Sequence, residues 1–332
     1  MRAMLFEEFG PPSVLAYHDV PDPVAGPGDV VIEVHAVSVN RVLDVEVRKG
    51  TVPRYKVKPP HVPGVDPSGV VVSVGEGVTG FRPGDRVAVM MQMPGGGMFG
   101  LHCWGGNAQY ARVPAGSCVP VRTEVPFAEA TVIARHGPVA YNLLFNMGKL
   151  EAGQTALIFG AAGNLGSLGI QLAKRAGAKV IAAAGSAGRV QTGLDLGADH
   201  GIDYSKTDLT EAVKALTGGE GVDLFYDNIA SPKYCPLGIE SLKRGGRMVT
   251  AGAHGGPVVP VNFHTVYEKR LTLMGNPTSD PMDALPCFDA AAEGKLKVII
   301  DRVVPLSEAP AMHALIEEKP ETGKIILDPT LG

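Results

Sequence analysis

Residues 155–160, TALIFG, form an apolar run that ends in glycine. Residues 160–166, GAAGNLG, follow, and the chain then continues as SLGIQLAKRAGA. Backbone this bare, set between a strand pattern and a helix pattern, suits close approach by a ligand. The spacing Ala161-x-Gly163-x-x-Gly166 matches the dinucleotide fingerprint G-x-G-x-x-G with alanine in the first place. In that reading Ala161 permits the tight turn and Gly163 admits a pyrophosphate against the backbone. Gly166 lets helix pack close to strand. Asn164 and Leu165 open the helix, where free N–H groups favour an anion. The strand before and the helix and second strand after meet the context that the fingerprint requires.

The second strand decides which dinucleotide fits. A site for NAD places Asp or Glu near its end, on the ribose hydroxyls. Here the stretch is VIAAAGSAGRV, residues 180–190, and it holds no acid. Ser186 can donate a hydrogen bond and Arg189 can hold a phosphate as a planar cation. The expected cofactor is NADPH. The plainer reading of Arg189 is a solvated residue at a helix start.

The elements around the loop set the architecture. Residues 29–39 and 68–89 are β-branched runs cut by Gly/Pro turns, which indicates a β-rich barrel-like or sandwich domain. From about 125 the rhythm changes. Residues 126–148 read as helix, and short apolar strands then alternate with helices, which implies a parallel doubly wound sheet. One helix, at 187–198, is expected to be interrupted by Gly193. Asn228 and Gly252 end later strands, and strand C-termini border the cofactor crevice in such sheets. Asn276 is a further candidate on the nicotinamide side. The tail, 296–332, returns to strands around one helix and is expected to complete the first domain.

Composition excludes several classes. The chain has 332 residues, enough for two domains, with 45% hydrophobic and 19% charged residues and a net charge of −4. No Lys/Arg run marks a nucleic-acid partner. No apolar run spans a bilayer, and the acidic start of the chain does not read as a signal peptide, so the expected compartment is the cytoplasm. Cys103, Cys118, Cys235 and Cys287 are scattered and read as free thiols.

With PHVPGVDPSGVVVSVGEGVTGFRPGDRVAV (60–89), GAAGNLGSLGIQLAKRAGAKVIA (160–182) and LGADHGIDY (196–204) taken together, the chain resembles the medium-chain dehydrogenase/reductase superfamily. In detail it is similar to the zinc-independent, quinone oxidoreductase-like branch. The resemblance implies an α/β chain: a GroES-like catalytic domain from 1–124 and 296–332, and a Rossmann nucleotide-binding domain from 125–295. It also implies a homodimer and a small-molecule substrate in the interdomain cleft.

The zinc members of that superfamily supply catalytic ligands at three positions. Asn40, Val65 and Arg135 stand at them here, and none is a zinc ligand type. The region of the structural zinc lobe has only Cys103. His61, His102 and His136 are read as hydrogen-bonded or exposed, so no metal is expected. Without a Lewis acid, reduction of a conjugated acceptor fits better than ordinary alcohol oxidation.

The family match places Asn40, in SVNRV, beside substrate or nicotinamide; the competing reading is a loop residue capping a turn. Asp44 follows with one residue more than the usual family spacing. Tyr55 is a candidate proton donor, though off the tyrosine position of the enoyl-thioester branch, and packing on a loop competes with that role. Tyr204 matches a family tyrosine near the adenosine phosphate. The expected activity is NADPH-dependent reduction of quinones or α,β-unsaturated carbonyl compounds. The alternatives are a carbonyl/alcohol dehydrogenase and a non-catalytic, crystallin-like NADPH-binding protein. Segment 91–109, with the single tryptophan Trp104, shapes either a pocket or a dimer face.

Overall fold

Valine-rich segments early in the chain and alternating strand–helix segments later give two different sheets. The computed structural model describes residues 1–318 and 323–331. The chain divides into two units, Met1–Arg135 with Ile299–Gly332, and His136–Val298.

The first unit holds β1 (Arg2–Leu5), β2 (Ala16–Asp19), β3 (Asp29–Ser38), β4 (Ser68–Val74), β5 (Arg86–Val89), β6 (Tyr110–Pro114) and β7 (Cys118–Pro120). Helix α1 (Phe127–Tyr141) leads out of it. The second unit runs through β8 (Thr155–Phe159), α2 (Asn164–Arg175), β9 (Lys179–Ala184), α3 (Ala187–Asp195), β10 (His200–Asp203) and α4 (Leu209–Leu216). It continues through β11 (Val222–Asp227), α5 (Cys235–Glu240), β12 (Leu242–Thr250), α6 (Phe263–Lys269), β13 (Thr272–Gly275) and α7 (Ala284–Ala292). The chain then returns to the first unit with β14 (Ile300–Pro305), α8 (Ala309–Glu318) and β15 (Lys324–Asp328).

In the first unit β3 is the organising strand. It pairs antiparallel with β4, β6 and β15 in one sheet ordered β14-β15-β3-β4-β5-β7. Its pairing with β15 joins the two ends of the chain, Ile326 opposite Ser38 and Leu327 opposite Val37. Most of its ten residues are buried, and one core gathers Val30, Ile32, Val34, Val71, Val87 and Phe99. A second gathers Met4, Phe6, Val37, Leu306, Ile316 and Leu327. Burial on both faces suits the β-branched composition of these strands.

The second unit is a parallel sheet of six strands, ordered β10-β9-β8-β11-β12-β13. The order reverses between β8 and β11, and ligands of such sheets bind outside the carboxyl ends of the strands at that reversal. The core under it includes Leu157, Phe159, Ile181, Val213, Phe225 and Leu242.

Helix α3 runs unbroken through Gly193, against the interruption expected there. Gly193 is instead a close-packing residue: a Cβ there would lie 2.7 Å from Ala182 Cβ and 3.1 Å from Ala161 Cβ. Helix–sheet packing outweighs the weak helix propensity of one glycine. The expected helix at 126–148 is α1 followed by wider, π-type turns over Asn142–Met147. Among the described residues no helix is long and apolar enough to cross a membrane.

Candidate functional site

The glycine loop forms its turn one residue earlier than the fingerprint alignment placed it. Gly160 has φ +71°, a left-handed conformation that costs a side chain energy, and Ala161 after it is fully buried. The Gly163 N–H donates to Gly160 O at 2.8 Å and closes the turn. A Cβ on Gly166 would lie 2.1 Å from Gly160 O, so only glycine lets α2 start this close to β8. Gly163 is the N-cap of α2 and no side chain caps the helix. Among the described residues no protein acceptor takes the N–H groups of Asn164, Leu165 and Gly166. They are the donors that a helix start leaves open.

Neighbouring strand ends complete the crevice. Asn228, just past β11, donates from Nδ2 to Phe159 O at 3.2 Å, while its Oδ1 is buried without a partner among the described residues. The chain leaving β12 passes so near that a Cβ on Gly252 would lie 2.5 Å from Asn228 O. Asn276, past β13, bonds through its N–H to Thr250 O at 3.0 Å and through Nδ2 to Asn142 Oδ1 at 3.4 Å.

Ser186, Arg189 and Tyr204 gather beyond β9 and β10. Ser186 is the N-cap residue of α3, exposed, with its hydroxyl unused as a cap. Tyr204 bonds to Ala184 O at 3.1 Å, and its ring packs on Tyr234 at 4.3 Å and Phe159 at 5.3 Å between centroids. Burial raises the Tyr204 pKa, and the nearby Arg189 charge opposes that rise. A cradle that a side chain would fill, unclaimed helix N–H groups and an orphaned Asn228 carbonyl together fit a dinucleotide.

The first unit holds a second polar cluster. Asn40 is buried and tied on every side. Its Nδ2 donates to Ser38 Oγ and Asp66 Oδ2, both at 3.2 Å, and its Oδ1 accepts from Lys324 Nζ at 2.8 Å. Asp66 also accepts from the Ser38 N–H at 2.9 Å and hydroxyl at 2.6 Å. Asp44 accepts from the N–H groups of Asn40 at 2.7 Å and Gly64 at 3.0 Å. Burial, with the Asp66 carboxylate beside it, pushes Asp44 up to about 7 against those donors. Tyr55 stands apart from these bonds. Its hydroxyl accepts from Arg54 at 3.0 Å and its ring packs on the cluster of Leu43, Val47, Val65, Met91 and Leu101.

The residues at the zinc positions do not fit that metal. The Asn40 amide is spent on its neighbours, Val65 lies in an apolar cluster, and Arg135 is a cation. His61 Nε2 bonds to Gly100 O at 2.8 Å and His102 Nδ1 accepts from the Met98 N–H at 3.0 Å. Among the described residues no group of three or more His, Cys, Asp or Glu is placed to hold a metal ion. Cys103, Met93 and Trp104 line a pocket of about 400 Å³ in this unit.

Sequence reading gave the turn to Ala161 although Gly160 stands beside it in the loop, and it overlooked Asp66 and Lys324. Lys324 had no signal, because its partner lies 284 residues away.

Comparison with known proteins supports the whole-chain pattern. Residues 26–123 match the alcohol dehydrogenase GroES-like domain, and residues 165–292 the family described as zinc-binding dehydrogenase. The chain is 29% identical over 337 residues to a quinone oxidoreductase of Rattus norvegicus, covering 98% of this chain and 97% of that protein. Among solved structures, AibC aligns with a TM-score of 0.94 at 30% identity, covering 99% of this chain and 95% of that one. An NAD-dependent alcohol dehydrogenase aligns at 0.88 with 32% identity, covering 99% of both chains.

Proposed function

The chain belongs to the medium-chain dehydrogenase/reductase superfamily, in its quinone oxidoreductase-like branch, and is an oxidoreductase of a family that uses a nicotinamide cofactor; from that premise we propose that it reduces quinones or α,β-unsaturated carbonyl compounds with NADPH and without a metal. The observation that supports the choice of NADPH is the acid-free end of β9 with Ser186, Arg189 and Tyr204 around it. A carboxylate there would repel a 2′-phosphate, whereas Arg189 attracts it.

In this reading Asn164, Leu165 and Gly166 hold the pyrophosphate through backbone N–H groups, and Gly163, bare of a side chain, leaves it room. Asn228 and Gly252 border the cofactor crevice, and Asn276 its nicotinamide side. Bound NADPH supplies a hydride. Asn40 and its partners set the polarity of the site, and Tyr55 is the candidate proton donor, although a quinone needs none. The amide, aliphatic and guanidinium groups at the zinc positions favour acceptors whose own conjugation spreads the incoming charge.

The deciding experiment mixes purified protein with NADPH or NADH and a panel of quinones, enones, enoyl thioesters and simple ketones, with and without a chelator. Turnover of conjugated acceptors that prefers NADPH and ignores the chelator is expected. Loss of activity on chelation, restored by zinc, would overturn the metal-independent reading. The likeness to an NAD-dependent alcohol dehydrogenase motivates the second reading, and preference for NADH with simple ketones would select it.

A homodimer also belongs to the proposal. Strand β13 is the edge of its sheet, and Val258, Phe263 and Tyr267 near it in sequence are exposed at 75%, 74% and 67%. An exposed edge flanked by apolar side chains invites a second copy. Sedimentation should give twice the chain mass for the native protein and a monomer for Phe263→Asp.

A further inference from the structure

Arg135 is the unexplained cation of the first unit. It lies near the end of a helix face that is pinned to the Asn40 cluster. Phe127, Thr131 and Arg135 recur at intervals of four on α1, and so share one face. The Phe127 carbonyl accepts from Ser68 Oγ at 2.8 Å, and the Thr131 hydroxyl donates to Asp66 O. One turn further on, Arg135 comes within electrostatic reach of Asp66, Tyr55 and Asp44.

No acceptor takes its protons. Asp66 is already met by Ser38 and Asn40, and Asp44 by the N–H groups of Asn40 and Gly64. Among the described residues the Arg135 guanidinium has no hydrogen-bond or ion-pair partner, and its Nε is buried. Leaving the buried Nε–H unmet is costly, while the side chain as a whole is half-buried, so its remaining donors are not sealed off from an incoming acceptor. Burial accordingly holds its pKa below the usual value, with Asp66 opposing that shift most. Such a group is explained by an acceptor that is present only part of the time.

We propose that Arg135 receives the oxygen of the conjugated acceptor and stabilises the negative charge that collects there. This rests on the substrate class proposed above. Hydride given up by NADPH, which would be oxidised to NADP+, adds at the far carbon of the conjugated system, makes a new C–H bond there and pushes the π electrons onto the carbonyl oxygen. The resulting enolate oxygen lies against the guanidinium until a proton from solvent neutralises the product; with a quinone, later enolisation of that adduct gives the hydroquinone. A cation thus stands at a position where zinc members of the superfamily use a metal ligand, and supplies the electrophile itself. The planar fork suits an oxygen anion better than a lysine point charge.

The test compares wild type with Arg135→Met, Arg135→Lys and Arg135→Ala. With a quinone or enone, Arg135→Met should lower kcat about ten- to hundredfold, the range of one charge-assisted hydrogen bond. NADPH affinity, read by nucleotide fluorescence, should stay within about twofold, because the groups that hold the nucleotide in this reading do not include Arg135. Arg135→Lys should recover only part of the loss, and added guanidinium ion should restore turnover to Arg135→Ala. A purely structural role predicts no such rescue.

A second readout needs no turnover. Titrated with wild type, 4-nitrophenol should be held as its yellow phenolate at a pH where it is mostly protonated in buffer, and Arg135→Met should abolish the effect. A folded Arg135→Met variant with wild-type kcat and unchanged phenolate binding would overturn the proposal. Phenolate binding that depends on Arg135, in a protein that turns over no conjugated acceptor, would uphold the oxyanion site and overturn the substrate class.

Discussion

Lys324 Nζ donates to Asn40 Oδ1 at 2.8 Å, joining β15 to the end of β3 across 284 residues of chain. The same ammonium donates to Val39 O at 3.2 Å. Lys324 is 3% exposed, so these bonds form away from water. They orient the Asn40 amide: with Oδ1 occupied by a donor, Nδ2 faces Ser38 and Asp66. Lys324→Met should therefore lower unfolding free energy by about 2 kcal/mol, the scale of leaving a buried acceptor without its charged donor. Denaturant unfolding measures this, and a change below about 0.5 kcal/mol would contradict it.

Two glycines of the loop separate folding from binding. Gly166→Ala drives a Cβ to 2.1 Å from a backbone oxygen and should destabilise the protein by about 3 kcal/mol. Gly163→Ala meets Gly160 O only at 3.3 Å and should fold with little loss. Its added methyl stands where the pyrophosphate is proposed, so NADPH binding should weaken at least about tenfold. Parallel melting and fluorescence titrations of the two variants check the split.

Arg189→Ala tests the choice of nucleotide. A hydrogen bond to a charged group contributes roughly 1.5–3 kcal/mol, so NADPH affinity should fall about ten- to hundredfold. NADH affinity should hardly change. Equal weakening of both would show that Arg189 does not hold the 2′-phosphate.

Thiol chemistry should distinguish Cys103 from the others. All four cysteines are free, but Cys118, Cys235 and Cys287 are buried while Cys103 is partly exposed. Burial pushes every one of these thiols up, Cys118 to about 12. A colorimetric disulfide reagent should titrate one thiol slowly in the native protein and four after denaturation. Fast reaction of several native thiols would contradict the buried placement.

His313 gives the protein an acid-sensitive point. Its ring is fully buried on α8, among the described residues neither nitrogen has a hydrogen-bond partner, and burial, helped by the Arg48 charge, lowers its pKa from 6.5 to about 3. Between those values the unfolded chain binds a proton that the folded one does not. The stability is thus fully present above pH 6.5 and is lost as pH falls toward 3, by at most about 1.4 kcal/mol per pH unit. His313→Leu should flatten this fall. An unchanged slope of stability against pH would assign the acid sensitivity to other groups.

The patterns that were readable in the sequence are those whose cause is local. A β-branched run marked β3, an apolar run marked β8, and glycine spacing marked the turn into α2, because a tight turn and a close approach are demands on neighbouring residues. The absent acid beyond β9 and the absent zinc ligands were equally legible, since each is a matter of which residue stands at a position. Tertiary structure decided what depends on distant partners. It placed the left-handed residue at Gly160 rather than Ala161, and made Gly193 a packing contact inside an intact helix. It brought Lys324 to Asn40 and Thr131 to Asp66, through strand pairing and helix packing that no short window contains. It left Arg135 without an acceptor among the described residues, because Asp44 and Asp66 were already satisfied by groups from other segments. Local sequence determines the backbone's cradle, while the polarity of the first unit's buried cluster is a sum over residues that meet only on folding.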